Sequence, residues 1–315
     1  MQRSALEYIR SGVSHFFRLP ALEEGRPTPG AVLLGVPYDL GSTHHPGSRF
    51  APWSVRAASV TLGAWHPLHR LDVFETLGCV DGGNVVFPPF DPALARAEIE
   101  RHVGALARAG SRPFVVGGDH SIALPMARAL KAVHGPLAVI HVDAHFDTSA
   151  KDTWAEEHHH GTPLRHCLSE GLVSSLHQVG TRAMWNHPEE GAMAARFSAS
   201  SYGVDAVADL GPSAVAAAIR ERVGDAPVYL TFDVDAVDPA FAPGTGTPVP
   251  GGLSSREALR LIRGLGGINL VGMDVVEICP ALDVGEQTSL LAAHLLFEGL
   301  AVAARRAVQY TEPSL

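Results

Sequence analysis

Short apolar runs that close on Gly, Asp or His recur along the chain: AVLLGVP (31–37), PFVVGGDH (113–120), LAVIHVDAH (137–145), PVYLTFDVD (227–235) and INLVGMDVVE (268–277). A run that is apolar on both faces reads as a strand buried on both sides. That is the habit of parallel sheets, whose crossover connections lay helices over each face. Helical spacing does appear between the runs, at PALARAEIERHVGALARAG (92–110), SIALPMARALKAV (121–133), SSREALRLIRGL (254–265) and QTSLLAAHLLFEGLAVAARRA (287–307). The alternation predicts an α/β chain, a single three-layer αβα domain on a mostly parallel, doubly wound sheet. With 315 residues, 46% hydrophobic and 18% charged, there is material for a large core, and no linker, charge block or internal repeat divides it. One domain over residues 1–315 is expected, with 1–30 as an N-terminal arm.

In such sheets a ligand binds beyond the carboxyl ends of the strands, and the polar residues collect there. His120 closes one run, Asp143, His145 and Asp147 close another, Asp233 and Asp235 a third, and Glu277 a fourth. Side chains alternate along a strand, so Asp143 and His145 share a side, as do Asp233 and Asp235. One acid at a strand end is ordinary. Four carboxylates converging with two imidazoles are not, because bare carboxylates that close repel and must gather protons or cations. The Asp/His mixture, without thiolate, suits a borderline-hard divalent ion: manganese first, with nickel, cobalt or zinc as competitors. Two such ions would balance the four carboxylates, and an adjacent pair acidifies and orients bound water near neutral pH.

Composition narrows the partners. A formal charge of −9 disfavours nucleic acid or an anionic membrane as the main partner and suits a small cationic substrate. The N-terminus has no continuous apolar stretch of the signal-peptide kind, and no run approaches the roughly 18 apolar residues of a membrane span. Cys79, Cys167 and Cys279 are widely spaced and odd in number, which points to buried free thiols in a cytoplasmic protein.

GGDHS (117–121), DAHFD (143–147) and FDVDAVDPAFAPGTGTPVPGGL (232–253), in that order, resemble the ureohydrolase family of arginases and agmatinases, and the likeness runs from GVPYDLGSTHHPG (35–47) to MDVVEICP (273–280). HFDT followed by HHGTPLRH (159–166) is similar to the agmatinase-like branch, which includes guanidino-acid hydrolases. The resemblance implies that His120, Asp143, Asp147 and Asp233 hold one manganese ion. Asp143, His145, Asp233 and Asp235 would hold the other, with Asp143 and Asp233 bridging. It also implies that His160, before Gly in the HG motif, shuttles a proton, with Asp147 as a second candidate carrier, and that Glu277 pairs with the guanidinium. A carboxylate can accept two parallel N–H bonds from that planar group. Hydrolysis of a guanidino compound to urea and an amine, by a homo-trimer or homo-hexamer, is the implied activity.

Other residues carry plainer expectations. His141 lies one step deeper in its strand than Asp143 and reads as a packed or supporting histidine, His158 and His159 as loop residues, and His294 as packed in a helix. GTGTPVPGG (244–252) lacks the lysine and spacing of a phosphate loop and is expected to shape the site entrance. Zinc deacetylases of related fold also use an Asp-x-His pair, but a single zinc leaves His120 and Asp147 unused. The substrate's tail must be read by the less regular stretches 148–159 and 181–197. Trp154, Trp185 and His187 are candidates to line a pocket there. Both signs of charge are present, in Asp152, Glu156 and Glu157 against Lys151, Arg165 and Arg182. His45 stands where relatives usually show Arg before Pro-Gly. A hydrolase of free or alkylated guanidines and a non-catalytic subunit of a hetero-oligomer are the alternatives.

Overall fold

The computed structural model describes residues 15–23, 25, 28–150, 156–184 and 187–311. Ten strands occur among these residues. Eight of them form one sheet: β1 (Ala31–Gly35), β4 (Val80–Asn84), β5 (Arg112–Val116), β6 (Leu137–Val142), β7 (Val173–Val179), β8 (Ser198–Tyr202), β9 (Pro227–Asp233) and β10 (Asn269–Val276). The short strands β2 (Trp65–His66) and β3 (Leu71–Asp72) make a separate antiparallel pair. In space the sheet runs β4-β1-β5-β10-β9-β6-β7-β8, and its pairings are parallel throughout rather than mostly so. The five expected runs are all strands; β4, β7 and β8 were not among them.

Side chains alternate between two cores. From β6, Ala138, Ile140 and Val142 join one apolar cluster while Leu137 and Val139 join the other; in β9, Val228, Leu230 and Phe232 oppose Tyr229. The first cluster is closed by α1 (Ala51–Ser59), α2 (Val73–Leu77), α8 (Pro212–Val223), α9 (Ser255–Gly264) and α10 (Gln287–Thr311), with α7 (Val204–Leu210) contributing Val207. The second is closed by α3 (Pro92–Arg108), α4 (Ala123–His134), α5 (Pro163–Ser169) and α6 (Pro188–Phe197). Three layers result. The start of α9 shows why local sequence suffices: Ser254 and Glu257 form a reciprocal capping box.

Three expectations need amendment. Within the supposed arm 1–30, Phe16 and Phe17 are fully buried in the first core, while residues 1–14 lie outside the described residues. By length and composition α10 could cross a membrane over Gln287–Val308, contrary to the sequence reading; 83% of that window is buried, so it is accounted for as the core helix of its layer. His294 projects from the exposed side of α10 rather than packing.

Strand order prepares the site. The chain passes from β5 to β6 across a gap that β9 and β10 return to fill, so β5, β10, β9 and β6 are consecutive neighbours. Their carboxyl ends carry His120, Glu277, Asp233 and Asp143.

Candidate metal centre

Close backbone packing sets the first ligand. After β5 the chain turns through Gly118, where a Cβ would lie 1.4 Å from the Tyr38 carbonyl oxygen, so only glycine fits. Gly118 O then accepts the backbone N–H of Glu277, and Asp119 N–H donates to Tyr38 O. These bonds seat His120 beside Glu277, whose Oε1 accepts the His120 N–H at 2.8 Å. Asp143 follows β6 directly, and Asp147 swings back towards it through a left-handed backbone (φ 54°); Glu277 is left-handed as well (φ 63°). Such conformations cost non-glycine residues on the order of 1–3 kcal/mol and persist where surrounding structure over-determines them.

His120, Asp143, Asp147, Asp233 and Asp235 are buried, and His145 is partly so. His120 Nδ1 faces three carboxylates at once: Asp147 Oδ2 at 2.9 Å, Asp143 Oδ2 at 3.0 Å and Asp233 Oδ2 at 3.3 Å. It makes no well-aligned hydrogen bond to any of them. One nitrogen converging with three oxygens is what a cation wants and a single N–H cannot satisfy. Beside this lies a second centre, where His145 Nδ1 is 3.0 Å from Asp235 Oδ2 and 3.3 Å from Asp143 Oδ1. Asp143 thus offers one oxygen to each centre. Asp233 turns Oδ2 to His120, while its Oδ1 accepts the Asp235 N–H. The geometry therefore shows Asp233 at the first centre, and its bridging role stays with the family likeness.

Without cations, protons take their part. Burial alone would strip charge from His120, but Asp147, Asp143 and Asp233 outweigh it and hold the imidazole well above its ordinary value. His145 is opposed by burial and pushed up to about 12 by Asp235 and Asp143. Burial, then Asp235 and Asp143, raise Asp233 well above the carboxylate range. Metal binding releases such protons, so the donor set fits a pair of divalent ions.

His160 sits at the edge of this cluster. Its Nδ1 is 2.9 Å from Glu277 Oε1 and its Nε2 is 2.7 Å from Thr43 Oγ1. Burial lowers the ring's pKa, yet the Glu277 carboxylate raises it further, to about 9. The His160 N–H donates to Gly41 O, and Gly41 N–H donates to the buried Asp119 carboxylate at 2.7 Å. Thr43 and Asp119 were missed by sequence reasoning, although both lie inside the quoted motifs.

His141 Nε2 lies 2.9 Å from Asp143 Oδ2, and its Nδ1 faces the Gln178 amide at 3.2 Å. Gln178 also donates to the Phe146 carbonyl, which fixes its NH2 toward His141. Hence Nδ1 accepts and Nε2–H supports Asp143. Ligand atoms of His120, His141, Asp143 and Asp147 all lie within 4.8 Å of one another, but with both nitrogens engaged His141 backs the ligand rather than joining it.

The rim divides differently. Arg182, a candidate reader of a carboxylate tail, has its guanidinium bonded to the carbonyls of Gly180, Asp235, Ala236, Val249 and Pro250. It clamps the 244–252 loop to the strand ends, and Thr247 of that loop donates to Asp235 at 3.4 Å. Arg165 turns to the Met193 sulfur. Glu190, which was not anticipated, is buried against Ser149, whose hydroxyl donates to it at 2.7 Å. Burial raises its pKa, and it feels the charges of Asp147 and His145. Glu156 and Glu157 are exposed, as are His44, His45 and His187, while His159 Nδ1 accepts the Gly161 N–H. Lys151, Asp152, Trp154 and Trp185 lie outside the described residues.

Known proteins resemble this chain over nearly its whole length. Guanidinopropionase from Pseudomonas aeruginosa is 38% identical, across 95% of this chain and 94% of its own. Agmatinase from Chromobacterium violaceum is also 38% identical, across 98% and 94%. The solved structure of proclavaminate amidino hydrolase from Streptomyces clavuligerus superposes with a TM-score of 0.88 at 39% identity, covering 93% of this chain and 98% of that one. Residues 29–301 match the Arginase family, a span that holds every strand of the sheet and all of the converging ligands, and the chain belongs to that family.

Proposed function

We propose that the chain is a binuclear amidinohydrolase that cleaves a guanidino compound to urea and an amine, as a single-domain enzyme of the cytoplasm. The observation that carries this reading is the convergence of His120 Nδ1 on three buried carboxylates, with Asp143 shared by a second centre. His120, Asp143, Asp147 and Asp233 would hold one ion and Asp143, His145, Asp233 and Asp235 the other, with manganese as the metal the donor set favours first and nickel or cobalt next. When bound, such a pair supplies acidified water and positive charge opposite the reacting carbon.

The protein's own groups do the rest. Glu277 holds the guanidinium: Oε1 is fixed by the His120 N–H and His160, and Oε2 takes part in neither bond. His160 keeps its Nδ1 proton on Glu277, and its Nε2, which accepts the Thr43 N–H and faces the Thr43 hydroxyl, is the atom that takes up and gives back a proton. It delivers that proton to the departing amine, with Asp147 as the other candidate. Engaged arginines and a buried Glu190 at the rim support a tail that ends in an amine or another donor, as in agmatine, over one that ends in a carboxylate. Free thiols at Cys79, Cys167 and Cys279 support the compartment. A homo-trimer or homo-hexamer is in keeping with the exposed aromatic side chains Phe50, Trp53 and Trp65.

Urea release from agmatine, arginine, guanidinoacetate, guanidinopropionate, guanidinobutyrate and alkylated guanidines, with manganese and with nickel, tests this. Agmatine should lead the panel. Release from none of them by protein holding two ions sinks the catalytic reading in favour of a non-catalytic subunit.

A further inference from the structure

Directly beneath the ligands, four polar side chains form a row across four neighbouring strands. Gln178 of β7 pairs in register with His141 of β6, His141 with Thr231 of β9, and Thr231 with Asp274 of β10. All four are fully buried. Burying a polar group costs roughly 1–3 kcal/mol unless it is bonded, and apolar residues would fill this layer of core at no such cost. The row must therefore do something that packing does not.

Its bonds indicate what. Asp274 accepts on both oxygens, from the Thr231 hydroxyl at 2.6 Å and from the Tyr229 hydroxyl. With its only hydrogen committed to Asp274, Thr231 can only accept from His120 Nε2, 2.8 Å away. The ring proton is thereby held at Nε2, on the side away from the cluster. Once a cation displaces the Nδ1 proton, Nδ1 presents its lone pair on the side of Asp143, Asp147 and Asp233, the form in which an imidazole binds a metal. Reversing the Thr231 hydroxyl would place the proton on Nδ1 and block the site.

We propose that Thr231 and Asp274 are a positioning pair that sets the tautomer of His120 and so tunes the first centre, leaving the second, built on His145 and Asp235, untouched. The idea rests on the binuclear reading above and adds a specific asymmetry to it: the two ions are held with different outside support.

The test titrates metal-free wild type, Thr231→Val and Thr231→Ser with Mn2+, reading free ion by electron paramagnetic resonance. Wild type and Thr231→Ser should each take two ions alike. Thr231→Val keeps the shape but not the acceptor; it should bind one ion normally and the other about ten- to a hundredfold more weakly. Two ions bound by Thr231→Val with wild-type affinity overturn the pairing while the binuclear reading stands. No ion bound by wild type overturns the binuclear reading itself. If Thr231→Val does not fold, long-range 1H–15N spectra of zinc-loaded wild type decide, with His120→Asn for assignment: a proton on Nε2 supports the relay and one on Nδ1 overturns it.

Discussion

The cradle and the rim of this site are built on opposite principles. Cradle residues hang from the ends of four adjacent parallel strands, so sheet register places them, and each is held by at least one further buried contact. Rim residues come from the connections after β6 and β7, and bonds to loop backbone place them, as with Arg182 and its five carbonyls. The difference separates two chemical decisions. On the proposed reading the cradle would determine that a guanidinium carbon is attacked, and the rim which molecule presents it. A cradle change should therefore lower turnover of every guanidine alike, and a rim change should reorder substrates without altering metal content.

The severest trial of that division is Asp143→Asn. Removing the carboxylate common to both centres should lose at least one ion and cut kcat on the order of a thousandfold for every substrate, read by metal analysis beside urea release. Full metal and full activity would remove Asp143 from its shared role. Next is His160→Asn, with kcat down about a hundredfold and both ions retained. Loss of the ions would move His160 into the cradle's structural part. In metal-free protein the His160 ring should titrate near 9, from its ordinary 6.5, because Glu277 outweighs burial. Its folded pKa is raised, so the pair stabilises the fold fully below the ordinary value and loses that contribution as pH rises through about 9. Glu277→Gln should lower the ring's titration, followed by NMR, since only the weaker pull of Asp119 and Asp147 then opposes burial.

Rim predictions are smaller. Glu190→Gln should shift the preference between amine-tailed and uncharged guanidines about tenfold in kcat/KM with both ions in place; unchanged ranking would take Glu190 out of substrate choice. Arg182→Ala strands several carbonyls and should cost about 1–3 kcal/mol of stability, seen as a thermal midpoint lower by several degrees. A variant that also loses metal would show that the rim supports the cradle after all.

The same division explains what could be read from residues alone. Register was legible because period-two alternation at the ends of apolar runs puts Asp143 with His145 and Asp233 with Asp235. By the same period Thr231 shares its face with Asp233, so the supporting layer was within reach of that reasoning; it went unnoticed because a lone Thr or Asp within an apolar run looks incidental. Asp274 was identifiable only once β10 lay against β9, since its meaning comes from Thr231 across the strand. Strands β7 and β8 were illegible because VSSLHQV and SASSY lack the unbroken apolar character of the others. Glu190 and Arg182 act through loop contacts far apart in sequence, for which no local spacing exists.

Asp147 and Glu277 share a left-handed backbone, and that sets stability against activity. At both places glycine would relax the chain, and at Asp147 it would also remove a charge from a crowded acidic cluster. Selecting this protein for heat resistance in the absence of metal would thus reward relaxation at Asp147, a residue the proposed chemistry uses, whereas at Glu277 the bonds to His120 and His160 weigh against it. A library screened that way should be counter-screened for urea release from the first round, or its hardiest members will be its inactive ones.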